Sequence, residues 1–410
     1  MDSNRKTPED QGKNIKLSYY MLIIIFFVTL IDESVDSVLI ESIIPLSAQY
    51  SWLTNAFIVL SLPFALILGG WSDFHCRRKT LIFALSCILI SIIMMFYFHK
   101  FSRNWIAFTS LAIKAIGGNA IPIALASIID VMPQKKLKSS LAITICAYSL
   151  GSWLPIYLRP HLASLNLSIS IGTLFILISV ILWFKNYEFD GIKLTKNKPN
   201  LRQFPFYIRK DVVEIFVFIF TPLVCFFYFG FILNEISFYQ ILLRGELLLK
   251  DNYYSFAAIA LGGGYYIGTA ILFILEKKDF TDEFCIKLGV LISFVSISFI
   301  TILNFIQFKF DFFYGVLLAA FSLGFALITP SIFAFFSATR EDGEYGKIYG
   351  LLDSTDALAF LVTAGYIYKS KNVSYERVSL LSLILFFISS IIILAFVKII
   401  KVSNAKTPRN

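Results

Sequence analysis

Long apolar runs joined by short polar links constrain this chain more than any other feature of its sequence. Two of them, 52–70 and 80–98, hold 19 residues each. At about 1.5 Å per residue, that length crosses the hydrocarbon core of a bilayer as a helix. Spans of this kind are expected at 18–43, 52–70, 80–98, 104–130, 139–158, 167–184, 213–240, 253–275, 285–305, 312–337, 347–367 and 378–397. The composition agrees: 57% of the 410 residues are hydrophobic and 15% are charged, where a soluble domain carries about a quarter charged residues. The expected fold class is an all-α polytopic membrane protein.

The net charge of +9 raises nucleic acid as a partner, and the placement of the cations argues against it. With twelve spans and both termini on one side, the segments on that side, counted with adjoining helix ends, hold 26 of the 36 Lys and Arg residues. The opposite loops hold 9, and Lys114 inside a helix is the remaining one. This asymmetry is the positive-inside pattern and puts both termini in the cytoplasm. Residues 1–17 then read as a cytoplasmic tail rather than a cleaved signal, because no small-residue cleavage site follows the polar start. The chain divides into bundles at 18–184 and 213–397, joined by a basic cytoplasmic loop at 185–212 that holds Pro199 and Pro205, with a tail at 398–410. Five cysteines, with no CxxC among them, predict neither a disulfide nor a metal site.

The link between the second and third runs is Gly69-Gly70-Trp71-Ser72-Asp73-Phe74-His75-Cys76-Arg77-Arg78-Lys79. Its shortness makes its flanking helices antiparallel neighbours, and its three consecutive cations mark the cytoplasmic surface. It resembles the loop 2–3 signature of the major facilitator superfamily, Gly-x-x-x-Asp-Arg-x-Gly-Arg-Arg. Gly69, Asp73, Arg77 and Arg78 match that signature, while Phe74 and Cys76 replace its first Arg and second Gly. The resemblance implies about twelve transmembrane helices in two six-helix bundles that enclose a cavity and rock to give alternating access. It further implies a cytoplasmic gate in which Arg77 pairs with Asp130 and Asp73 lies against the start of helix eleven. That start carries Gly346 and Gly350, a small-x-x-x-small pattern that permits tight packing.

The first run holds Asp32, Glu33 and Asp36. Asp32 is about 15 residues in, roughly 22 Å from the cytoplasmic end. Asp32 and Asp36 share a helix face. Either the helix ends early and these acids meet water outside, or Asp32 and Asp36 face a hydrated cavity. A carboxylate at such depth is costly unless paired, hydrated or protonated, which makes it a functional candidate. Lys114 lies near mid-membrane on the fourth helix, followed by Gly117, Gly118 and Pro122. In the resembled family this helix often carries a cavity-facing Arg before a Gly, a place that Lys114 takes without the forked donor geometry of Arg. In the second half, Glu235 near the outer third of helix seven and Tyr265 in helix eight are candidates for the substrate or proton pathway.

Catalysis has little support: the chain has no H-E-x-x-H, G-x-S-x-G or Walker pattern. No cofactor is expected, and without a nucleotide site transport must use a gradient or run downhill. The leading expectation is a monomeric secondary transporter, a proton-coupled symporter or uniporter of a small metabolite in a bacterial inner membrane. Proton-linked drug export is the alternative, though 146–155 lacks the repeated glycines common in such exporters' fifth helix. A receptor or structural membrane protein is the reading from another class.

Overall fold

The structure is a computed structural model. It describes residues 19–32, 34–35, 53–101, 103–117, 120–133, 136–184, 250–306, 311–338, 345–346, 349–350, 354, 380–381, 383–388, 390–391, 393–395 and 397–398. Among them there is no strand. The helices are α1 (Tyr19–Asp32), α2 (Leu53–Phe74), α3 (Arg77–Phe101), α4 (Asn104–Gly117), α5 (Ala120–Val131), α6 (Leu137–Trp183), α7 (Lys250–Lys277), α8 (Asp282–Phe305), α9 (Asp311–Ala338) and α10 (Leu383–Ala395). Among the described residues, four stretches are long and apolar enough to cross a membrane: Arg77–Phe98, Asn104–Val131, Asp282–Phe305 and Phe312–Phe335. Asn104–Val131 takes α4 and α5 together.

The side-chain pattern is that of a protein in lipid. On α8, Leu291, Val295, Phe299 and Ile302 form an exposed apolar stripe at helical spacing. Its opposite face buries Ser293, Ser296, Ile297, Ile300 and Thr301. A soluble helix would reverse this arrangement, because water favours polar groups outside; a bilayer does not.

Backbone contacts divide the chain into two compact units, Met1–Pro205 with Phe336–Leu351, and Phe206–Phe335 with Leu352–Asn410. Residues 336–351 fall with the first unit, although the sequence places them in the 213–397 bundle. Gly346 and Gly350 account for this, since each packs so closely on α2 that a Cβ would drive into the carbonyl of Gly69 or Ala65.

Within the first unit, α3 packs on α4, α5 and α6, and α2 packs on α4. The hydroxyls of Ser91 and Ser110 meet at 3.0 Å between α3 and α4, and Ser110 also donates to the Ser91 carbonyl at 2.8 Å. Lower down the same pair, Gly117 sits against Cys87 with no room for a methyl group.

Helix α6 corrects one expectation. Helical backbone runs through 159–166, which the sequence assigns to an external loop. The two ends of α6 nevertheless lie within reach of adjacent arginines. Arg77 bonds to Asp130, just before α6, and Arg78 bonds to the carbonyls of Ile181 and Leu182 at its far end. A straight helix of 47 residues would part its ends by about 70 Å. Helix α6 is therefore not straight.

Among the described residues of the second unit, helices meet by close backbone approach. Gly264 and Gly268 of α7 lie against Ala319 and Leu323 of α9, and Gly289 of α8 lies against Gly324 of α9. Ser322 donates to the Leu261 carbonyl at 2.6 Å across the first of these seams. Between α7 and α8, Asp279 takes a left-handed conformation at φ 57°. The amide of Phe280 then bonds to the Leu275 carbonyl, and that of Asp279 to Glu276, which closes α7 in a Schellman turn. Thr281 caps the start of α8 by accepting from the Phe284 amide at 3.3 Å, with Asp282 and Glu283 in the first turn.

Candidate functional site

Two buried ionic clusters lie in the first unit. The first is at the turn between α2 and α3. Helix α2 runs to Phe74, four residues past the end expected for its span, so Asp73 is helical rather than in a loop. Arg77 opens α3 and is 4% exposed. Its guanidinium spreads over three partners: Nε donates to Asp130 Oδ2, Nη1 to Ser72 Oγ at 2.7 Å, and Nη2 to Asp73 Oδ1 at 2.9 Å. The same Asp73 oxygen accepts the Gly346 amide at 2.7 Å, and Ser72 in turn donates to the Gly69 carbonyl at 2.6 Å. Neither Gly69 nor Gly346 has space for a Cβ, because each faces the other's carbonyl.

This geometry brings Gly69, Asp73, Arg77, Asp130, Gly346 and Gly350 together. Arg78 lies apart from them: its bonds to Ile181 and Leu182 are 3.0 and 2.6 Å long and satisfy carbonyls at the end of α6. Removing Arg77 would leave the Asp73 and Asp130 carboxylates together without their counter-charge, at about 3–5 kcal/mol.

The second cluster lies deeper. Asp32 lies on α1, about 20 Å from Tyr19 at helical rise, and Lys114 is about 15 Å along α4 from Asn104. Both are buried, Asp32 at 0% and Lys114 at 1% exposure. Lys114 Nζ donates to Asp32 Oδ1 at 3.0 Å, and the Ala120 amide donates to Oδ2 at 2.6 Å. One carboxylate thus receives two donors, the Lys114 ammonium and the Ala120 amide. The Cys87 thiol of α3 lies within electrostatic reach of Lys114.

Of the remaining candidates, Tyr265 is buried on α7 in the second unit, its ring 5.9 Å from that of Phe325. Asp36 and Glu235 lie outside the described residues. Sequence reasoning missed Ser72, whose signal was a small hydroxyl five residues before the motif arginine. It also missed the Ala120 amide, which carries no side-chain signal. Among the described residues no group of His, Cys, Asp or Glu is placed to hold a metal ion, and Cys76, Cys87, Cys146 and Cys285 are free thiols.

Helices with lipid-type faces, built around buried ion pairs, define an integral membrane protein of the transporter class. The family model of the major facilitator superfamily matches residues 21–364. The chain belongs to that superfamily and is a multi-pass membrane transport protein rather than an enzyme. No curated protein matches it in sequence. Solved structures share its fold at low identity. The E. coli fucose:proton symporter FucP is 14% identical over 91% of this chain and 97% of its own, with a TM-score of 0.66. The human organic anion transporter MFSD10 is 15% identical over 92% and 99%, at 0.68. A bacterial homologue of the iron transporter ferroportin, in an outward-facing state, is 12% identical over 92% and 99%, at 0.67.

Proposed function

We propose that this protein is a proton-coupled secondary transporter of a small metabolite, working by alternating access as a symporter or, without coupling, a uniporter. The observation that carries the reading is the Asp32–Lys114 pair, fully buried in the apolar interior of the first unit. Charges at such depth are retained where they serve a pathway, and a carboxylate beside a cation is a device for taking up and giving back a proton. The Arg77 cluster serves as the gate that holds one state, with Asp73, Asp130, Gly69, Gly346 and Gly350 as its parts. The cation asymmetry supports cytoplasmic termini, and the short loops support a bacterial inner membrane; a monomer suffices for the mechanism. That the fold serves a fucose:proton symporter and an organic anion transporter agrees with this function without naming the substrate.

The test is transport by the purified protein in proteoliposomes, with a panel of labelled sugars, amino acids and organic acids and an imposed pH gradient. Accumulation driven by the gradient is expected. Downhill equilibration alone would reduce the reading to uniport, and exclusive export of hydrophobic cations would replace it with drug antiport. Failure to move any solute would remove it.

A further inference from the structure

The hydroxyl of Ser72 stands where charge and backbone meet in the Arg77 cluster. An arginine has donors only, so Ser72 Oγ must accept from Nη1 and direct its own proton to the Gly69 carbonyl. A hydroxyl that accepts from a cation becomes a stronger donor. The pull of the guanidinium therefore reaches the Gly69 carbonyl through Ser72. Gly346 lies over this corner: a Cβ there would drive into the Gly69 carbonyl, the Ser72 hydroxyl and Arg77 Nη1. The Gly346 amide donates to Asp73 Oδ1, the oxygen that also faces Arg77 Nη2. One guanidinium thus meets Gly346 by two routes, a charged one through Asp73 and a neutral one through Ser72 and Gly69. We propose that Ser72 is a positioning residue of the gate. It aims the guanidinium, so that the crossing of Gly346 on α2 opens and closes together with the ion cluster. The proposal rests on the transporter reading above and adds to it a hydroxyl on which the gate depends.

Burial decides which state depends on Ser72. Ser72 is 1% exposed and Arg77 4%, and Gly346 packs on the corner with no room for a methyl group. The gap left by one missing oxygen is smaller than a water's share of volume. Without Ser72 Oγ, Nη1 would keep its charge in that corner but lose this acceptor. Once Gly346 leaves α2, the corner meets water, which serves Nη1 and the Gly69 carbonyl alike. The loss therefore falls on the packed state alone and tips the balance toward the open one.

Hydrogen exchange of the purified full-length protein in nanodiscs tests this without a substrate. In Ser72→Ala the peptide that carries Gly346 should exchange at least about fivefold faster, the effect of one buried donor left without its acceptor. Peptides of the α3–α4 seam, with Ser91 and Ser110, should keep their wild-type rates. Ser72→Cys keeps a side chain of similar shape but is a weak hydrogen-bonding group. It should behave as Ser72→Ala does, and it replaces that variant if Ser72→Ala does not fold. In an Arg77→Lys background the fork that reaches Ser72 is gone, and Ser72→Ala should add less than about twofold. Unchanged exchange at Gly346, or equally faster exchange throughout α3 and α4, overturns the positioning role. A full effect in the Arg77→Lys background overturns it too, because Ser72 would then act without Arg77. If the exchange pattern holds and the proteoliposomes move no solute, the transporter reading falls and the positioning of Arg77 by Ser72 stands. If transport follows the pH gradient and Ser72→Ala exchanges as the wild type does, only the Ser72 proposal falls.

Discussion

Asp73 and Asp32 are held by nearly the same parts, yet the two clusters differ in the cation. Each carboxylate accepts a backbone amide, Gly346 for Asp73 and Ala120 for Asp32, and each is paired with one basic side chain. At Asp73 that side chain is an arginine, which also spans Asp130 and Ser72. At Asp32 it is a lysine, whose ammonium is a compact point charge on a flexible stem. A guanidinium keeps its charge at any working pH and has enough donors to tie three groups at once. Breaking its cluster strands two acids together, which suits a latch. A lysine–aspartate pair is parted by protonation of its one carboxylate, which suits the coupling role proposed for it. On the proposed function, the same buried acid does different work according to how many partners its cation can serve.

The largest effect expected is at the Asp32–Lys114 pair. Asp32→Asn should abolish accumulation of substrate against its gradient under a proton force, while some downhill exchange persists because Lys114 remains. Both are measured in the same vesicles. If Asp32→Asn still concentrates substrate, coupling moves to Asp36 or Glu235 and the contrast between the clusters collapses.

At the latch, Asp73→Asn keeps an oxygen for the Gly346 amide but loses its charge opposite Arg77. Charge-assisted hydrogen bonds are about twice as strong as neutral ones, so the cluster should weaken without dissolving. Transport should fall by about tenfold, from roughly 1.4 kcal/mol of altered balance between states, with a much smaller fall in protein level. Initial rates normalised to expressed protein decide the matter, and a near-normal rate would remove Asp73 from the gate.

How much of this is legible in the sequence follows from distance along the chain. Gly69, Asp73 and Arg77 stand within nine residues, so a local signature carries them and the resemblance supplies Asp130 and Gly346. The Asp32–Lys114 pair is 82 residues apart in sequence. Helical rise puts the two at similar depth, but depth alone cannot say that two helices turn those faces toward each other. The reach of α2 to Phe74 and the helical backbone through 159–166 escape the sequence for one reason. Polar or proline-containing stretches look like loops, although tertiary packing can hold such residues in a helix against their propensity. Close approaches such as Gly289 to Gly324 are not foreseeable, because a glycine in an apolar run looks the same whether it faces lipid or a neighbour.

A double-mutant cycle probes the latch more finely. The charge swap Arg77→Asp with Asp130→Arg should recover part of the transport that either single change removes. The expected coupling is that of residues in direct contact, about 0.5–3 kcal/mol. Recovery should be incomplete, because an arginine at 130 cannot rebuild the bonds to Ser72 and Asp73 from the other side. Strictly additive losses would show that the bond between Arg77 and Asp130 carries no function.

The mildest change asks whether the fork of the cation, rather than its charge, makes the latch. Arg77→Lys keeps the positive charge at the start of α3 and is long enough to reach one carboxylate. It cannot hold Asp130, Ser72 and Asp73 along three separate N–H directions, as the guanidinium does. One acid should therefore lose its close partner while the cluster's net charge stays the same. The expected result is a modest loss, about three- to fivefold in transport rate, corresponding to roughly 0.7–1 kcal/mol, with little change in protein level. The measurement is the initial rate of exchange across the variant and wild type at matched amounts in the membrane. An unchanged rate would mean that charge alone keeps the latch, and the difference drawn between the arginine and lysine clusters would then have to rest on depth in the membrane instead of donor geometry.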